Sequence, residues 1–349
     1  MSHSPPAPTT DRLLELSWAM SDQPILMPVD LVADRFVSGR PKRISREAPV
    51  LILSYEGESM TPGGGANAVA NVAALGGRPL PLGVVGDDES GRQLLAVLQE
   101  AGIPTDGILV RPGYRTPTKT RILGGGHHSI KQQIVRFDIE EKQDLSASET
   151  ETLGAQLSQW QEKARVAVLS DYGYGAVQPS LVASVREVVG EQGVILCDSR
   201  YRLAEFAGLD GATPNEEEAE ALLKGPISES QGQLITAGTK LLDLLGAKFL
   251  LITRGSFGMC LFDEEGMTQI PVHGTDQVAD VTGAGDTVIG TFALAMAAGA
   301  TPLEAALMAN FAGGIVVMKR GTATLSRREL EMAITADPRP LAKMKWAKY

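Results

Sequence analysis

From about residue 148 onward the chain alternates helical and strand-like segments, and this alternation limits the folds open to it. Helical spacing predicts helices over 148–162, 179–190, 216–223, 232–245, 284–298, 302–318 and 326–336. Apolar runs predict strands at 165–169, 193–197, 248–253 and 258–262. Strands joined through helices imply right-handed crossovers and a mostly parallel sheet. In such sheets ligands bind beyond the C-terminal strand ends, so the chemistry should gather there.

The first half reads differently. Residues 1–10 are rich in Pro, Ser and Thr and form an expected tail, followed by a short helix over 11–20. The run 24–30 (PILMPVD) predicts a buried first strand ending in Asp30, with Pro28 awkward for a central position. Asp34 and a basic loop carrying Arg40, Lys42, Arg43 and Arg46 come next, then strands at 50–55 and 80–86 and a helix over 90–102. Residues 117–123 and 130–136 predict a strand pair around GGGHHS, with His127 and His128 at its solvent-facing tip. With Lys119, Arg121, Lys131 and Arg136 the pair is too polar for an interior sheet. Together with 50–55 it is expected to form a small separate lid.

Two Gly-rich junctions open helices. DVTGAGDT (280–287) precedes an apolar run, and PGGGAN (62–67) precedes a helix to Leu75. The start of a helix has unpaired N–H groups at its positive end, and Gly lets a phosphate approach them closely. An acid there, Asp286, would repel that anion. Its chemical role would be to take a proton from a hydroxyl attacking a phosphoryl group. The alternative is a helix-capping acid.

Net charge of −10 argues against a nucleic-acid surface. Cys197 and Cys260 sit in apolar runs without metal-ligand spacing. No apolar run is long enough for a membrane span, and the N-terminus lacks a signal-peptide pattern, so a cytoplasmic protein is expected. Neither the P-loop pattern nor the dinucleotide G-x-G-x-x-G pattern occurs where its fold would need it, which disfavours an oxidoreductase.

The set PGGGANAVANVAALGG (62–77), TPNEEEAE (213–220), TRGSFG (253–258), DVTGAGD (280–286) and AN (309–310) resembles the ribokinase-like, or PfkB, family of carbohydrate kinases. The resemblance spans about 24–330. It implies a three-layer α/β/α fold with a mostly parallel central sheet and a small β lid. The expected division is a tail and short helix at 1–23, a kinase domain at 24–338 with lid segments near 36–60 and 113–138, and a tail at 339–349. It also implies ATP and Mg²⁺ as cofactors, and a homodimer formed through the lid.

Further stretches, 30–50, 116–123, 134–141 and 169–177, resemble the D-glycero-D-manno-heptose-7-phosphate kinase branch, which phosphorylates an anomeric hydroxyl on the way to ADP-heptose for lipopolysaccharide. That branch is often fused to an adenylyltransferase domain. This chain ends soon after residue 326 and is expected to be the single-domain version.

Carried onto this sequence, the family's roles make Asp286 the catalytic base and the amides of Gly283, Ala284 and Gly285 the anion hole. Asp34, Gly64, Gly65 and Asn67, joined by Asp30 and Asp171, would contact sugar hydroxyls. Arg121 and Arg136 form the preferred phosphate-binding pair, with Arg43 and Lys119 as further candidates. Asn215, Arg200, Thr253, Arg254, Gly255, Gly258 and Asn310 would hold the nucleotide. Glu218, spaced N-x-x-E from Asn215, would organise the metal, mostly through water; its alternative is a solvated acidic helix face. The chain departs from the branch at Val29, at Tyr174 (usually Lys) and at Ser199-Arg200 (usually Pro-Lys). These departures bear on which sugar is used. A kinase for another hexose or pentose, or a sugar-binding regulator without catalysis, are the alternatives.

Overall fold

A computed structural model describes residues 7–126, 131–142, 144–160, 163–227, 230–274 and 279–349. His127 and His128 lie outside them. The strands, in chain order, are β1 (Pro24–Pro28), β2 (Leu31–Ile44), β3 (Leu51–Gly64), β4 (Arg78–Gly86), β5 (Ile108–Arg111), β6 (Thr118–Gly124) and β7 (Gln132–Ile139). They continue as β8 (Val166–Asp171), β9 (Val194–Ser199), β10 (Gly211–Ala212), β11 (Phe249–Thr253), β12 (Met259–Phe262), β13 (Met267–Ile270) and β14 (Lys345–Ala347).

Ten of them form one sheet in the order β14-β13-β12-β11-β10-β9-β8-β1-β4-β5. Pairing is parallel from β5 through β11 and antiparallel from β11 to β14. One apolar cluster on each face gives the three layers expected. β1 is central despite its two prolines, because Pro24 and Pro28 occupy its ends, and the N–H of Val29 resumes the ladder to Leu82.

β3, β2, β6 and β7 form a separate four-stranded sheet. Of the basic stretch read as a loop, Arg40, Lys42 and Arg43 lie in the outer half of β2, as polar side chains of an exposed strand, and Arg46 follows it. Arg121 and Arg136 face each other across β6 and β7. The short helix expected over 11–20 is present and packs on the domain, and the segment expected as a C-terminal tail is folded onto it too. Leu13, Leu16 and Met20 of the Thr10–Ala19 helix and its cap are buried in the core, and β14 extends the large sheet beside β13. A three-residue strand is too short to leave a periodic signal, as are β10 and β13.

The Ala284–Ala297 helix lies at the centre, buried on nearly all sides, against the Gly65–Ala74 and Pro302–Val316 helices. Such a helix is apolar around its circumference, which is how its sequence reads. Its packing brings both Gly-rich junctions to one place.

Candidate active site

The two junctions meet at a cavity of about 680 Å³ between the lid and the C-terminal ends of the large sheet's strands. Gly283, at φ 77°, caps the Ala284–Ala297 helix in the left-handed region that favours glycine. Asp286 is the third helical residue and is 2% exposed. Its carboxylate accepts from Asn67 Nδ2 at 3.1 Å and from Tyr172 Oη at 2.8 Å. It therefore does not act as a capping acid, which would take its protons from its own helix. Burial pushes its carboxyl up to about 7, against the two hydrogen bonds, which pull it down. A base poised near neutrality suits proton abstraction.

The anion-binding end is narrower than expected. The N–H of Ala284 donates to Val281 O at 3.2 Å and is already used. Gly283 and Gly285 line the cavity, and their N–H groups have no partner among the described residues.

Several residues expected to touch the sugar do something else. Asp30 is not part of the cavity wall. Its carboxylate accepts from the N–H groups of Tyr172, Tyr174 and Ala176 at 2.9, 2.9 and 3.0 Å, and so folds the turn after β8. Burial raises its pKa to about 6, so it is ionised at pH 8 and accepts all three bonds. Asp30→Ala is expected to strand three amides and cost on the order of 3 kcal/mol, seen as a lowered Tm; a Tm within about one degree of wild type would refute the anchoring role. Gly65 packs against Val29 and the Asp30 carbonyl, with no room for a side chain. Asn67 also donates to Gly283 O at 3.2 Å, so it braces Asp286 and its cap, and it is not part of the cavity wall. Asp171 lines the cavity, but Arg202 and Ser199 engage it at 2.6 Å each. Asp34 and Gly64 line the cavity as expected.

The lid supplies cations. Lys119, Arg121 and Arg136 line the same cavity, joined from the end of β9 by Arg200. Arg121 is paired with Asp34 at 2.7 Å and Arg136 with Asp138 at 2.9 Å. Lys119 lies over the Tyr172 ring at 5.4 Å, and burial lowers its pKa. Tyr174, where the related branch has a cation, points instead to Glu140, its hydroxyl donating at 3.1 Å.

Of the residues expected to hold the nucleotide and metal, Asn215, Thr253, Arg200 and Glu218 line the cavity. Asn215 and Glu218 form a reciprocal capping box at 2.9 Å in each direction, so the N-x-x-E spacing is first of all a helix start. Arg254, Gly255, Gly258 and Asn310 do not line it. Arg254 pairs with Glu216 at 3.0 Å, Asn310 donates to Pro271 O at 3.0 Å, and Gly255 and Gly258 shape a turn. Sequence reasoning missed Tyr172 and Asp198. Asp198 lines the cavity, and burial together with Glu218, Asp286 and Asp171 drives its carboxyl well above the usual range.

The pfkB family of carbohydrate kinases matches residues 35–329. The chain belongs to that family. It is a phosphotransferase acting on a sugar hydroxyl. Among curated relatives of this kinase, the bifunctional protein HldE of Mesorhizobium japonicum is 37% identical over 345 residues, covering 98% of this chain and 68% of that protein. The HldE of Caulobacter vibrioides is 38% identical over 329 residues, covering 92% and 65%. The kinase spans about two thirds of the length of these relatives. Escherichia coli phosphofructokinase-2, in complex with substrates and products, matches with a TM-score of 0.71 at 17% identity, over 90% of this chain and 98% of that one. Arabidopsis thaliana ribokinase with ribose and ATP matches at 0.69 and 21%, over 91% and 100%. At these identities the structures establish the ribokinase-like fold. No helix among the described residues is long and apolar enough to cross a membrane.

Proposed function

We propose that this kinase transfers the γ-phosphoryl group of ATP to the anomeric hydroxyl of D-glycero-D-manno-heptose 7-phosphate. The observation carrying the reading is Asp286, a buried carboxylate with pKa near neutrality beside two unpaired glycine amides. In this reading Asp286 takes the proton of the sugar hydroxyl. The amides of Gly283 and Gly285, at the positive end of the helix, meet the charge that develops on the transferred phosphoryl group. Asp34 orients sugar hydroxyls. Lys119, Arg121, Arg136 and Arg200 put cations on the wall of a cavity that also carries carboxylates, and a sugar phosphate would draw on them where a neutral sugar would not. Arg200 keeps a cation where the branch has Lys, whereas Tyr174 leaves its own position without one. The HldE relatives support the heptose branch, since that branch is often fused to a second domain.

Mg²⁺ fits the donors present. Asp198 and Glu218 face the cavity and repel each other, which a divalent cation would relieve. No group of three or more ligand-type side chains clusters among the described residues, which suits an ion held mostly through water and phosphate. When bound, the ion neutralises nucleotide phosphate charge. Thr253 and Asn215 would lie along the nucleotide.

The lid's outer apolar side chains, among them Tyr55, Val135 and Phe137 at 66%, 47% and 53% exposure, support a homodimer through the lid. ADP release should be measured with heptose 7-phosphate, fructose 6-phosphate, ribose and unphosphorylated heptose, with and without Mg²⁺. Heptose 7-phosphate is expected to lead the unphosphorylated sugars by about 10²-fold or more in kcat/KM, the size of effect a missed charge-assisted contact gives, and to lead fructose 6-phosphate as well. Preference for an unphosphorylated sugar would overturn the substrate and favour another sugar kinase.

A further inference from the structure

Tyr172 touches the base from the sugar-side wall, and no role was expected of it. Its hydroxyl donates to Asp286 Oδ1 at 2.8 Å while its ring lines the cavity. Its backbone is pinned by Asp30, through the N–H bonds of residues 172, 174 and 176. The opposite oxygen, Oδ2, is taken by Asn67, itself braced by Asn71 at 3.2 Å. The carboxylate is thus held at both oxygens by groups from two different elements, with no freedom to rotate about its terminal bond.

We propose that Tyr172 is a positioning residue for the base, holding Asp286 in its reactive orientation and in its ionised form. The proposal rests on Asp286 being the base. A hydrogen bond donated to a carboxylate stabilises the charged state and opposes the burial that favours the neutral one. The phenol itself does not titrate in the working range, because burial and the neighbouring carboxylate drive it well above its usual value. It therefore donates at every pH at which the enzyme would work. A packing role alone would need only the ring.

The test is the pH profile of kcat/KM for wild type and Tyr172→Phe on the same sugar phosphate. The substrate's own phosphate titrates identically for both proteins, so the difference between the curves belongs to the enzyme. Losing a hydrogen bond to a charged group should move the acidic limb up by roughly one to two pH units. The alkaline plateau should stay within several-fold of wild type. An unmoved limb, whether or not the rate falls, overturns the proposal. A fluorinated tyrosine at position 172, a stronger donor on an unchanged ring, should move the limb down, and an unmoved limb there also overturns it. Asp286→Asn is measured alongside. Wild-type turnover by that variant would remove the base itself, whereas an inactive Asp286→Asn with an unmoved Tyr172→Phe limb would remove only the role of Tyr172.

Discussion

Asp286→Asn is expected to lower kcat/KM by about three orders of magnitude or more while making the folded protein more stable above neutral pH. The first effect follows from losing the proton acceptor, since a positioned general base is worth roughly 10²–10⁴-fold and both oxygens of Asp286 are held by hydrogen bonds. The second follows from linkage. Burial raises the folded carboxyl from 3.8 to about 7, so the folded state holds its proton where the unfolded state has lost it. Stability then falls as pH rises between those two values and levels off above the higher one. A rise of about three pH units corresponds to about 4 kcal/mol when the group is fully ionised. Asn removes this cost. Thermal unfolding at pH 8 should show a higher Tm for the variant, with the gap closing toward pH 4. Undiminished turnover would end the case for the base, and a pH-independent gap would end the case for its burial.

Gly283→Ala is expected to cost both activity and stability through a single methyl group. The residue sits at φ 77°, where a side chain is strained by roughly 1–3 kcal/mol. A Cβ there would also stand 2.4 Å from Asn67 Nδ2. Asn67 cannot yield freely, because its own amide is buried and fixed by Asn71. The methyl group would therefore push away the brace on Asp286 and crowd the unpaired amides at the helix start. A displacement of about 1 Å at a reacting group costs about 10²-fold, and kcat should fall by at least that much. Gly285→Ala is the control for folding, since an added Cβ there meets only Asp198 Oδ2, at 3.9 Å. If Gly283→Ala unfolds at the same temperature as Gly285→Ala, the strain argument fails.

Asp286, Gly283 and Gly285 could be found from the sequence because a Gly-rich strand-to-helix turn is written in consecutive residues. The alternation after residue 148 was legible for the same reason: helices of eight or more residues span at least two turns of their pattern. Asp30 could be read as an acid ending a strand, while Asn67 and Asp171 came only from the family resemblance; in neither case were their partners legible. Whether a buried acid faces a ligand or three backbone amides depends on a turn 142 or more residues away. Tyr172 was missed because a lone Tyr after a strand has no spacing to mark it. Arg254 and Asn310 look like ligand contacts in one dimension, yet in three they close on Glu216 and on the Pro271 carbonyl. The small strands β10, β13 and β14 are fixed by neighbours already in the sheet, not by their own residues.

The acid that would start the reaction belongs to the central helix, while Asp34, Lys119, Arg121 and Arg136 belong to three adjacent strands of a different sheet. Apart from Leu31, which belongs to the core cluster around the Asp286 helix, side chains on β2, β6 and β7 can therefore change without repacking that core. A lineage could exchange one sugar for another by drift on the lid while its chemistry stayed in place. An engineer could do the same by transplanting those three strands as a cassette.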